Sequence, residues 1–190
     1  VETNLTATSN IGLGANAVDS ITTGDWNVGL GDNALTATTS GEQNTAVGFE
    51  ALKANTTGVN NVAVGQASLE SNTTGADNVA VGRRSLYTNT TGVSNIGIGY
   101  KSLEANTTAS DNTAVGYRSL ATNTTGAGAT AIGRDSLYSN TTGTFNTAVG
   151  KYALWSNTTA NSNTAVGYDS LTANTTGAEN VAVGANALDA

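Results

Sequence analysis

Apolar side chains recur along this chain at a period far longer than a helix turn or a strand pleat. Val47 and Leu52 are followed by Val64 and Leu69, then by Val81 and Leu86, and the pair returns at every seventeenth position as far as Val183 and Leu188. A glycine follows the first member of each pair, from Gly14 and Gly31 through Gly48 to Gly184, giving eleven copies without a slip. One unit reads Asn44-Thr45-Ala46-Val47-Gly48, two variable residues, Ala51-Leu52, one variable residue, a small residue, Asn55-Thr56-Thr57-Gly58 and two more variable residues. A fixed period marks a repeat architecture, and a unit this short cannot hold a helix pair or a propeller blade. It suits one coil of a solenoid whose strands stack about 4.8 Å apart. Thr45-Ala46-Val47 is a β-favouring run closed by Gly48 and predicts one strand. Thr56-Thr57, between the turn formers Asn55 and Gly58, predicts a second. Recurrent Gly, Asn and Thr disfavour helix. A helical turn over residues 49–54, as in a leucine-rich repeat, would want several Leu per unit, and there is one.

The fold class expected is therefore all-β: a parallel β-solenoid or β-roll of about eleven 17-residue coils, roughly 50 Å long, assembled as a homotrimer. It fills 1–190 as a single repeat array, with looser copies over 1–43 and regular copies over 44–190. Neither end carries the polar cap an isolated solenoid needs, so the array reads as a piece of a longer one.

The columns of the repeat sort by chemistry. Every charged and every aromatic residue falls in five columns: the two after the Gly48 row, the one after the Leu52 row and the two after the Gly58 row. The other twelve form a neutral frame of small, apolar and amide side chains. In that frame Val47 and Leu52 are expected to face the interior, a thin core at about 1.5–3 kcal/mol per buried side chain. Asn ladders must then add to it, because an Asn can bond its equivalent one coil away. Two rows qualify. One is Asn44, Asn61, Asn78, Asn95 and Asn112, broken at Ala129; the other is Asn55, Asn72, Asn89, Asn106, Asn123, Asn140, Asn157 and Asn174. The Ala46 row points away from Val47. It is expected to let a second chain approach closely, which leads to the homotrimer.

Composition narrows the function classes. The chain has 14 acidic and seven basic residues, a net charge of −7, and no His, Cys, Pro or Met. A nucleic-acid backbone is an unsuitable partner. Without His or Cys there is no acid–base or thiol constellation, so no enzyme is expected. Asp77, Asp111 and Asp135 are scattered over variable columns and read as solvated decoration, with no metal and no cofactor expected. The Ser68, Ser85, Ser102, Ser119, Ser136 and Ser170 row reads as packing. No apolar run has membrane-spanning length, so no membrane insertion is expected.

Asn-Thr-Ala-Val-Gly-Tyr at Asn112 to Tyr117 and at Asn163 to Tyr168, followed by Ser-Leu and Asn-Thr-Thr-Gly, resembles the repeat arrays of phage tail-fibre-type proteins and long bacterial surface proteins. The first half of the unit also resembles the Asn-x-x-Ala-Ile/Val-Gly unit of trimeric autotransporter adhesin heads. The unit here is longer and adds the Asn-Thr-Thr-Gly segment. The resemblance implies a trimeric left-handed β-roll, an extracellular, cell-surface or virion location, and a structural or adhesive role in a fibre. It implies self-association as a homotrimer or filament, and cell-surface glycans or a host receptor as partners.

Three rows carry further expectations. Asn-Thr-Thr is a glycosylation sequon at Asn55, Asn72, Asn89, Asn106, Asn123, Asn140, Asn157 and Asn174, and Asn4-Leu5-Thr6 is a ninth. It is either a glycan row or only a structural ladder. The Thr56 and Thr57 rows raise the alternative of an ice-binding solenoid. Aromatic side chains follow the Gly row or the Leu row at Tyr87, Tyr100, Tyr117, Tyr138, Trp155 and Tyr168, with Arg83, Arg84, Arg118 and Arg134 nearby. This is a stripe suited to surface contacts.

Overall fold

A computed structural model of the chain describes residues 9–189; the Asn4 sequon lies outside them. Eleven three-residue strands run from β1 (Ile11–Leu13), β2 (Val28–Leu30) and β3 (Thr45–Val47), at every seventeenth residue, to β11 (Val181–Val183). They form one parallel sheet in strict sequence order. Each residue pairs with its equivalent one repeat away, as Thr45 does with Val62 and Ala46 with Ala63. There is no helix among the described residues. The architecture is a parallel β-solenoid.

Each coil has one strand, not two. Thr56 and Thr57 lie in a bend, because Asn55 Nδ2 donates to Gly58 O at 3.1 Å and closes the chain into a turn. That bend still bonds along the axis: Thr56 N–H donates to Thr73 O at 2.9 Å and Thr57 N–H to the same oxygen at 3.2 Å. Extended dihedrals are not required for coil stacking; a carbonyl one repeat away is.

Residues 49–54 form turns whose dihedrals alternate in sign. Gly48 has φ 135°, Glu50 59° and Leu52 50°, and the pattern recurs in every regular coil. A left-handed conformation at a bulky residue such as Leu costs about 1–2 kcal/mol. Axial hydrogen bonding offsets it. Glu50 N–H donates to Asp32 O at 3.0 Å in the preceding coil, and Leu52 N–H to Ser68 O at 3.0 Å in the following one. The alternation is what lets successive amides reach coils on both sides. At Gly48 no side chain fits, since a Cβ would lie 2.7 Å from the Gly65 carbonyl carbon.

The interior corrects the inward and outward assignment read from the sequence. Ala46, Ala63, Ala80, Ala114 and Ala131 are completely buried, packed in one cluster with the Leu row from Leu35 to Leu171. Val47 and its equivalents are on the outside of the same strands. A single strand closed over the Leu52 turn leaves room beneath it for a methyl group and no more. The Ala row therefore cannot be a surface for another chain.

Two Asn columns flank this core, and both are buried. Asn44 Nδ2 donates to Asn27 Oδ1 at 3.0 Å and to Gly58 O at 2.9 Å, while Asn44 Oδ1 accepts from Asn61 N and Asn61 Nδ2 at 3.0 and 3.1 Å. Asn72 Nδ2 donates to Asn55 Oδ1 at 2.9 Å and to Gly75 O at 3.0 Å. The two columns thus meet at the Gly58-row carbonyls, which tie the strand to the bend within each coil. In the looser copies Ile21 and Thr38 replace the second column's Asn, and buried Thr38 Oγ1 finds no hydrogen-bond partner.

Candidate functional site

Two surfaces stand out from the neutral frame. The first is the outer face of the sheet. Period-two alternation places the Thr45 and Val47 columns on that face, on either side of the buried Ala46 column. The Thr45 column is Val, Ile or Thr, and the Val47 column is Val, Ile or Leu in every copy. Val64, Ile98, Ile132 and Val166 are 36–41% exposed, in the middle of the array where both neighbouring coils are present. The result is a double ridge parallel to the rod axis and as long as the sheet, in which the Val47 column is apolar throughout and the Thr45 column is Val or Ile except at Thr45, Thr113, Thr130, Thr147 and Thr164. Contiguous exposed apolar patches of this extent mark interaction sites.

The second surface is the edge formed by the columns after Gly48 and after Leu52. All seven Lys and Arg residues lie on it. Tyr100 and Tyr117 stack with centroids 5.3 Å apart, and Tyr138 and Trp155 stack at 6.3 Å. The Arg84 guanidinium lies 4.1 Å over the Tyr87 ring and that of Arg118 4.5 Å over Tyr138. Lys151 lies 4.7 Å from the Tyr152 ring and 5.6 Å from that of Tyr168. The six aromatic residues singled out in the sequence thus sit on one edge. Lys101, Lys151 and Tyr152 belong with them and were not singled out. Their membership follows from the column, since residues one period apart are neighbours in space. Trp26 and Phe145, exposed on the edge after Gly58, stand apart from this group.

Ion pairs organise the edge. Asp135, one of the scattered carboxylates read as solvated, is instead buried and paired with Arg118 at 2.8 Å and Arg134 at 3.1 Å. Its hydrogen bond holds the Arg118 guanidinium above its already high ordinary pKa. Lys53 is likewise pushed up, chiefly by its hydrogen bond from Nζ to Glu50. The Glu70 carboxyl is raised by partial burial first and by the negative charge of Glu50 second, with Lys53 and Arg84 opposing. The Tyr168 hydroxyl is raised by its hydrogen bond with Asp169. Among the described residues no three Asp or Glu side chains gather closely enough to hold a metal ion.

The sequon and Thr rows take definite places. The amide nitrogens of Asn72, Asn89, Asn106, Asn123, Asn140 and Asn157 are buried and each donates twice. The folded coil leaves these nitrogens no room for a glycan; Asn174, beside the last full coil, is only half-buried. Thr56 Oγ1 donates to Thr73 O at 3.0 Å, and Thr73, Thr90, Thr107, Thr124 and Thr141 repeat the bond. One row of hydroxyls is thereby committed to backbone, and the exposed Thr57 row stands alone as an ordered hydroxyl array.

Comparison with protein-family models, with curated proteins and with solved structures finds no match to this chain.

Proposed function

We propose that this chain is a passive shaft or adhesive segment of an extracellular or virion fibre, assembled as a homotrimer through the outer face of its sheet. The double ridge of Thr45-type and Val47-type residues carries the proposal. A solenoid this thin buries little more than one Ala and one Leu per coil in its own interior. Its larger β-branched side chains are held outside, where only another chain can remove them from water. The ridge has two unlike columns, so the Thr45 column of one copy can meet the Val47 column of the next. That pairing is heterologous, and three parallel rods close it into a ring around a shared seam of Val, Ile and Thr side chains.

The remaining features suit a mechanical role. Coil number sets length, and the continuous axial hydrogen bonds of backbone, Asn and Thr resist bending. The basic aromatic edge, which begins beyond the Gly48 row, is the part left to meet a cell-surface glycan or a receptor. Electron microscopy of the native material tests the reading. Straight rods whose cross-section holds three copies support it; single isolated coils or compact particles contradict it.

A further inference from the structure

We infer that the groove between Tyr87 and Tyr138 binds an acidic oligosaccharide carrying one carboxylate per sugar, laid along the rod. The inference deepens the adhesive reading above and rests on it. The groove, about 320 Å³, crosses consecutive coils and has Ala105 and Ala121 on its floor. Ala121 occupies the column that holds Tyr87 and Glu104 before it and Tyr138 after it, so the aromatic edge is interrupted there by a methyl group. The two tyrosines form the ends of the slot. Tyr138 is backed by Trp155, and each tyrosine is covered by its own guanidinium, so the rings are set in place before any ligand arrives.

Arg84, Lys101 and Arg118 occupy one column in three successive coils. Their charges therefore repeat at the coil rise of about 4.8 Å. Glu104 is the lone carboxylate lining the groove; it takes Arg84 Nε at 2.9 Å, without a well-aimed N–H, and Lys101 Nζ at 3.2 Å. Arg118 pairs with Asp135 through Nε as well. Both guanidinium forks thus keep their Nη atoms for a bidentate acceptor, the geometry a carboxylate fits. The groove is net positive in a chain whose charge is −7.

Spacing selects the polymer. An extended peptide presents same-side carboxylates about 6.6 Å apart, which falls out of step with the cations after one coil. A pyranose in an extended chain is about as long as one coil is thick. In a two-fold extended glycan successive carboxylates point to opposite sides, so every second one meets the edge, in step with Arg84 and Arg118 two coils apart, and the sugar rings lie over Ala105 and Ala121 between the two tyrosines.

The test titrates tri- to hexagalacturonate onto the full chain by calorimetry, with the methyl-esterified oligomers and a polyglutamate peptide of equal charge as controls. We expect binding that weakens at least tenfold on esterification, weakens with added salt, and favours galacturonate over polyglutamate. Arg84→Gln and Lys101→Gln, each checked for an unchanged melting temperature, should weaken it several-fold; Arg118 is left intact because Asp135 depends on it. Absence of binding at millimolar ligand overturns the inference. So does equal binding of the ester or the peptide, or no effect of either variant. Light scattering on the same samples separates the two readings. A trimer that does not bind removes only the glycan, and a monomer that binds removes only the trimer.

Discussion

The two faces of each strand show how little separates the inside of this rod from its outside. In β7 (Thr113–Val115), Ala114 is fully buried and its neighbours Thr113 and Val115 are half-exposed. The larger and more apolar Val lies outside, and the smaller Ala inside. In an ordinary domain the order is reversed. Here the coil is one strand and a set of turns, so the space under the strand is fixed by the backbone and filled by a methyl group. Size decides which side chain goes in, and hydrophobicity decides what the exposed face can do next.

That contrast is sharpest under substitution. Ala114→Leu places extra carbons between packed coils that cannot move apart without breaking axial hydrogen bonds. We expect it to cost about 3 kcal/mol in urea unfolding, the upper end for overpacking. Val115→Ala, one residue away, should cost less than about 1 kcal/mol in the isolated chain, as a surface change does. Equal costs at the two sites would erase the distinction between the faces.

The amide columns are the next largest effect. Asn106 donates to Asn89 Oδ1 at 2.8 Å and to Ala109 O at 3.0 Å, and accepts from Asn123 Nδ2 at 3.1 Å. Asn106→Ala leaves buried polar partners unmatched and should cost about 1–3 kcal/mol. The other column offers the reverse experiment. Ala129 interrupts it: the Ala129 N–H still donates to Asn112 Oδ1 at 2.9 Å, but Ala129 offers no side-chain oxygen to accept from the Asn146 N–H and Nδ2 one coil on. Ala129→Asn should therefore stabilise the chain by about 1 kcal/mol, read as a shift in the urea midpoint.

The smallest effect lies on the decorated edge. The raised Glu70 carboxyl binds its proton more tightly in the folded chain than in the unfolded one. Its contribution is fully present below the ordinary value of 4.5 and is lost as pH rises through the raised folded value. Glu70→Gln should remove that loss and stabilise the chain at neutral pH by no more than about 0.5 kcal/mol, the scale of surface substitutions. Melting curves at acidic and neutral pH would show it.

Much of this fold was legible in the sequence because a period is insensitive to local ambiguity. The unbroken Gly48 row alone specifies one coil per repeat and a parallel stack. The orientation of the strand was not legible. Thr-Ala-Val alternates with period two in either direction, and nothing in the residues states how wide the coil is. The second strand failed for a related reason: Thr56-Thr57 has strand propensity, but the Asn55 side chain turns the backbone there. Leu52 at a left-handed φ had no local signal at all, since the carbonyl that rewards it lies in the next coil, on Ser68. The basic aromatic edge was half legible. Columns grouped its residues and already set Ala121 between Glu104 and Tyr138, but the burial of Asp135 required the coils to be stacked.

The central claim is that the outer sheet face joins copies of this chain. Light scattering at micromolar concentration tests it most directly, on the native chain and on a variant with Val81, Val115 and Val149 each changed to Lys. The account predicts a native mass three times the 18.9 kDa of one chain, and a variant that is monomeric yet retains the native circular dichroism. A monomeric native chain, or a variant that stays trimeric, would contradict it.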